Sequence, residues 1–108
     1  MVKMKIYNEI CSAIRLRQKI EFLYQNDIGV LQEKKVNPYV LGDYGNTSIK
    51  ILQAWQTGGE SDSDKLPGWR SFHLDKIQNL ITRKEKFVGP DGGYKRPNQK
   101  FKAIDIQY

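Results

Sequence analysis

The period of the hydrophobic residues changes once, near residue 18, and that change constrains the fold more than any other feature of the chain. Ile6, Ile10, Ala13 and Ile14 stand at i, i+4, i+7 and i+8, one apolar stripe of a helix. Arg15, Arg17 and Lys19 close the segment, where positive charge suits the C-terminal end of a helix dipole. The spacing predicts a helix from about Lys5 to Arg17. From Lys19 the period is 2: Ile20, Phe22 and Tyr24 share one face, as in a half-buried strand. Every later element reads as strand or turn.

Asn26-Asp27-Ile28-Gly29 has the residues a hairpin loop needs. A second strand follows from Val30 to Leu41 with Pro38 inside it; proline lacks an N–H and so belongs at an edge or a bulge. After a turn over Gly42–Asn46, a third strand runs from Ser48 to Thr57. Ile49, Ile51 and Trp55 make one of its faces, Leu52 and Ala54 the other, so both sides must be covered. The polar stretch Gly58–Gly68 reads as a loop. A fourth strand spans Trp69–Leu74, and a turn at Asp75-Lys76 leads to a fifth over Ile77–Thr82. Gly89-Pro90-Asp91-Gly92-Gly93 and Pro97-Asn98 break the tail before a last short strand, Lys102–Gln107. Phe87, Tyr94, Phe101 and Tyr108 recur every seven residues, but the prolines and glycines between them exclude a helix, and the recurrence reads as coincidence. The pattern predicts a mostly β, α+β domain: one N-terminal helix and a five-stranded barrel, whose closure would remove exposed strand edges. The helix-plus-barrel domain is expected over residues 1–86, with 87–108 a Gly/Pro-broken basic extension packing on it. Phe22, Leu52, Phe72 and Ile77 are the expected core.

At 108 residues there is room for one domain around one core. The 39% hydrophobic and 28% charged content is that of a folded globular chain, not a disordered one. No apolar stretch approaches the ~20 residues of a membrane span, and Met1–Lys5 leads into a polar amphipathic segment rather than a signal peptide. A single cysteine, Cys11, allows neither an internal disulfide nor a thiolate metal site. A cytoplasmic protein with no membrane partner is the expectation. Net charge is +6, distributed as +3 over residues 1–35, −2 over 36–75 and +5 over 76–108. Termini that met in space would form one positive face, attractive to phosphates.

Catalytic patterns fail on spacing. Ser71, His73 and Asp75 suggest a triad, but strand residues two apart sit ~6.6 Å from each other, too far for a nucleophile–base hydrogen bond. Glu60, Asp62 and Asp64 open a calcium-loop spacing that then places Lys65 where glycine is needed and Ser71 where a bidentate glutamate is needed. One histidine and one cysteine cannot build a transition-metal site, Gly58-Gly59 lacks the rest of a phosphate loop, and the sequon Asn46-Thr47-Ser48 has no secretory context. Cys11, beside the helix stripe, is most simply a small buried hydrophobe. No catalytic residue, metal or cofactor is expected. What survives is basic and aromatic: in Trp69-Arg70-Ser71-Phe72-His73-Leu74-Asp75-Lys76-Ile77, positions 70, 73 and 76 are basic or can become so, around an apolar frame. Arginine offers a planar fork to phosphate, and tryptophan a surface for base stacking.

Arg70-Ser71-Phe72-His73-Leu74-Asp75-Lys76-Ile77 resembles the closing motif of WYL domains, roughly Arg-x-Phe-Arg-Leu-Asp-Arg-Ile, with His73 and Lys76 standing for arginines. Ala13-Ile14-Arg15 through Ile20–Tyr24 looks like that family's opening helix and first strand, and Lys35-Val36-Asn37-Pro38 through Leu41 like its Arg-x-Val-x-Pro segment. Ile51-Leu52-Gln53-Ala54-Trp55 lies where the name-giving strand belongs, although Lys50-Ile51 replace the Trp-Tyr, and the signature tyrosine normally helps line the ligand site. The resemblance covers most of residues 6–82 and implies an Sm-like or SH3-like barrel. It also implies a regulatory module that senses nucleic acid or a nucleotide-like phosphorylated ligand. In larger relatives such a module regulates an attached DNA-binding or effector domain, but a helix-turn-helix needs more helices than this pattern offers. The expected binding set is Lys35, Gln53, Trp55, Gln56, Trp69, Arg70, His73 and Lys76. The alternative is a protein-interaction or self-assembling subunit with no small ligand. In that case Ile49, Ile51 and Trp55 either pack under the helix or form a homo-oligomer interface.

Overall fold

The computed structural model describes residues 4–61, 65–94 and 100–108. Helix α1 (Met4–Leu16) buries Ile10, Ala13 and Ile14, the stripe that the spacing marks. It stops at Arg17, whose φ of 57° is left-handed and turns the chain directly into β1 (Gln18–Gln25). Then come β2 (Leu31–Tyr44), β3 (Lys50–Gly59), β4 (Gly68–His73), β5 (Ile77–Lys86) and β6 (Phe101–Gln107). A 3-10 turn, Leu74–Lys76, links β4 to β5.

All strand pairs are antiparallel, in the order β4-β3-β2-β1-β5, with β6 added on β2. The α+β architecture with one N-terminal helix is as the sequence predicts. The sheet nevertheless has six strands and does not close: β4 and β5, adjacent in the chain, stand at opposite ends of the hydrogen-bonded path. The short turn Leu74–Lys76 carries the chain across the gap.

β2 is long because it serves three partners. One edge pairs with β3; the other pairs with β1 from Leu31 to Val36 and with β6 from Val40 to Tyr44. Pro38 falls in the handover, where its missing N–H leaves no ladder position empty, and the register on β3 shifts between Pro38 and Val40. Gly42 lies where β6 crosses. A Cβ there would run into the Ala103 carbonyl and Ile104 Cα, so glycine is what lets the last strand reach the sheet.

The sheet carries a core on each face. Under the helix lie Ile10, Ile14, Ile20, Phe22, Leu52, Ala54, Phe72 and Ile77, including all four residues expected from the sequence. On the other face Tyr39, Val40, Ile51, Phe87 and Phe101 are buried, with Trp55, Trp69, Tyr94 and Tyr108 packed against them. The second apolar face of β3 is therefore covered by the chain's own C-terminal residues, not by the helix, while Ile49 stays 46% exposed. The four aromatics spaced by seven all join this cluster. Their recurrence has no helical meaning, yet each return of the tail to the sheet delivers a ring. Cys11 is half-buried against the helix-side core, and burial pushes its thiol pKa up.

A polar clasp ties the ends of these elements together. Lys50 Nζ lies 2.8 Å from Asp43 and 2.6 Å from Asp105, and the Tyr7 hydroxyl donates to Asp105 Oδ2 at 2.8 Å. That hydrogen bond, followed by burial, holds the Tyr7 phenol up at about 12 from an ordinary 10.0. The donating, neutral form is the one the fold favours, so the folded pKa exceeds the unfolded one. The associated stability is whole below about pH 10 and is lost as pH rises toward 12. Thermal midpoints followed by circular dichroism are expected to fall through that window, and to fall less steeply in Tyr7→Phe. An unchanged slope in the variant would remove Tyr7 from the clasp.

Candidate functional site

Where the sheet fails to close, a groove of about 350 Å³ runs between the outer edge of β4 and the β1–β2 hairpin. Arg70, His73 and Lys76 contribute to one wall; Tyr24, Gln32 and Lys34 line the other. The Tyr24 hydroxyl bridges the seam by accepting the His73 backbone N–H at 2.9 Å. Burial, ahead of every other cause, raises the Tyr24 pKa, so the bridging phenol is neutral.

Arg70 is positioned by carbonyls, not acids. Its Nη1 donates to Trp69 O and its Nη2 to Lys65 O, each at 2.8 Å. Neither Arg70 nor Lys76 enters an ion pair among the described residues. Asp27 is the one acidic side chain among the described residues that line the groove. The described lining therefore carries surplus positive charge, and part of an arginine fork is already aimed by the main chain.

Of the expected binding residues, Arg70, His73 and Lys76 come together here and the others do not. Lys35 is exposed and lies with Lys19, Glu21 and Arg83 in a separate depression. Its neighbour Lys34 takes the inward place, 6% exposed, donating to Glu60 O at 2.6 Å and to Gln32 Oε1 at 3.0 Å. Alternation decides between them: counting back by two from buried Val36 gives Lys34. Gln56 is fully buried, its Nε2 donating to Gly58 O and Glu60 O, while its Oε1 has no partner. Gln53 is half-buried on β3 opposite Ser71. Trp55 and Trp69 meet edge-to-face, 5.2 Å between ring centroids, half-buried against the tail-covered core, and Trp69 Nε1 donates to Gly92 O. The accessible aromatic surface of the groove is thus Tyr24, which strand periodicity places on a half-buried face with Ile20 and Phe22; Phe72, also in its lining, is buried.

A second hollow, about 280 Å³ and mainly apolar, is lined by Tyr44, Thr47, Ile49 and Ile51. Ser71 and His73 belong to both hollows. Among the described residues no group of three His, Cys, Asp or Glu could hold a metal ion; Asp62 and Asp64 of the calcium-like spacing lie outside the described residues. No described helix is long and apolar enough to cross a membrane.

No family model matches the chain, and no curated protein matches it. Among solved structures the chain is similar to proteasome accessory factor B/C (PafBC) of Arthrobacter aurescens, at a TM-score of 0.65 and 21% identity. The match covers 82% of this chain and 12% of that one, so the likeness is one of fold with a small segment of a much longer protein.

Proposed function

We propose that this chain is a non-catalytic, regulatory ligand-binding module that takes nucleic acid or a nucleotide-like phosphorylated ligand in the groove beside β4. The observation that carries this reading is the convergence of Arg70, His73 and Lys76 on one groove, with Arg70 and Lys76 in no ion pair among the described residues. A phosphate would meet the Arg70 fork and the Lys76 ammonium, and the Tyr24 ring offers a face for a base. The resemblance of residues 70–77 to the WYL closing motif supports it. The fold held in common with a segment of an accessory factor suits a binding module better than an enzyme.

Titration of a single-stranded thymidine oligonucleotide by fluorescence anisotropy at two salt concentrations tests the proposal. Each phosphate neutralised contributes about 0.7 to the slope of log affinity against log salt. Arg70→Ala with Lys76→Gln is expected to weaken binding about tenfold or more at low salt and to reduce that slope by about 1.4, with the melting profile retained by the Lys76→Gln single variant. Binding without salt dependence, or a double variant that binds like the parent, would sink phosphate recognition.

A further inference from the structure

β4 is an edge strand. It pairs with β3 in an unbroken register from Ile51↔His73 to Gln56↔Gly68, and among the described residues no strand lies on its other side. In an antiparallel ladder successive residues alternate between turning both N–H and C=O toward the partner and turning both away. Two hydrogen bonds fix the phase. The His73 N–H points outward to the Tyr24 hydroxyl, and the Trp69 C=O points outward to Arg70 Nη1. Ser71, midway between them, must therefore turn its N–H and its C=O outward as well, and neither has a partner among the described residues. The edge is capped on both sides of Ser71 and, among the described residues, open at it.

The two hollows flank this opening. A residue pairing with Ser71 would share its face and send its side chain toward the apolar hollow of Tyr44, Ile49 and Ile51. The residues on either side of it would face the other way, toward Arg70, Lys34 and Lys76.

We infer that the β4 edge receives a short extended segment of a partner protein, in which an apolar residue opposite Ser71 is flanked by acidic ones. The central residue makes two main-chain hydrogen bonds to Ser71, its side chain fills the Ile49 hollow, and the acidic neighbours meet the groove cations. The inference goes beyond phosphate binding and shares with it only those cations. Segment and phosphorylated ligand would therefore exclude one another, and that exclusion is a means of regulation.

The probe is a capped seven-residue peptide alternating glutamate and isoleucine. Its binding to the unaltered protein should shift the Ser71 amide resonance, and the same peptide N-methylated at its central isoleucine should bind about tenfold more weakly or worse. Ser71→Pro, which removes an outward-facing N–H that the ladder does not use, should weaken the parent peptide comparably while still binding the thymidine oligonucleotide. Ile49→Ser, at an exposed position, should weaken the peptide severalfold. Equal binding of the N-methylated peptide overturns the inference, and so do an unmoved Ser71 amide or equal binding of a lysine–isoleucine peptide. Self-association of the protein through β4 in the absence of peptide overturns it too, since the occupant would be a second copy. Oligonucleotide binding with no peptide binding refutes strand addition alone; loss of the oligonucleotide from the parent protein refutes the phosphate site alone. Should Ser71→Pro fail to fold, the N-methylated peptide still decides.

Discussion

Leu52→Ala is expected to lower the free energy of unfolding by about 2–5 kcal/mol. Leu52 is fully buried in the middle of β3, paired with Leu41 on one side and Phe72 on the other. It belongs to the cluster that α1 covers, so no solvent-exposed neighbour can swing in to fill the space. The loss therefore combines the transfer energy of the removed carbons with a cavity that close-packed surroundings cannot collapse. Domains of this size are stable by about 5–15 kcal/mol, which makes the change a large fraction of the whole. Urea denaturation monitored by circular dichroism measures it directly. Ile49→Ala, at an exposed position just before β3, should change stability by less than about 0.5 kcal/mol. If Leu52→Ala melted like the parent, the helix-side core would not be centred on β3.

The helix, the strands and the helix-side core are legible because each is marked by a local period. Ile10 and Ile14 sit four apart, Phe22 and Tyr24 two apart, and the two apolar faces of β3 announce two layers of cover. Pro38 is legible as an irregularity, and it lies at one, although β2 is a central strand. What covers the second face of β3 is not legible. Phe87, Tyr94, Phe101 and Tyr108 reach it by separate loop and strand passages, and long-range cover leaves no period in the chain. Barrel closure fails for a related reason: strand count says nothing about whether the first and last strands of the path come within hydrogen-bonding distance.

The candidate groove was legible where it depends on one strand and its following turn. Arg70, His73 and Lys76 are close in sequence, so β4 and the turn after it bring them to one groove. Lys35, Trp55 and Trp69 lie outside the groove because of which way each strand presents its faces, and composition does not say which way that is. Tryptophan offers a stacking surface, but a large apolar ring beside a second core is more favourably buried than left in water. Ser71 shows the reverse. As a nucleophile it fails on spacing, while its main chain, which residue type does not advertise, occupies the gap in the sheet edge.

Tyr39→Ala is the matching test of the other face, with an expected loss of about 3–5 kcal/mol. Tyr39 is fully buried, and its ring contacts Trp69, Phe87, Tyr94 and Tyr108 at centroid distances of 4.9, 5.3, 4.7 and 4.8 Å. Its hydroxyl donates to Asp91 Oδ2 and accepts the Asp91 N–H, both at 2.7 Å, while Asn37 Nδ2 donates to the same carboxylate oxygen at 3.0 Å. Burial, then the bond to Asp91, raises the Tyr39 pKa well above the usual phenol range, so the donor remains protonated. Gly89 passes so near this hydroxyl that a Cβ would collide with it, which shows how tightly the tail is fitted around the ring. Truncation should thus free residues 87–94 as well as open a cavity. Both tryptophans of the chain lie beneath that segment, so native-state fluorescence should shift to the red in Tyr39→Ala and not in Leu52→Ala. Tyr39→Phe keeps the rings and removes only the hydroxyl, and should lose about 1–3 kcal/mol with the emission unshifted. A Tyr39→Ala protein whose tryptophans stayed as dry as the parent's would mean that the tail is held by β6 alone. The aromatic cluster would then be a consequence of that pairing, not its cause.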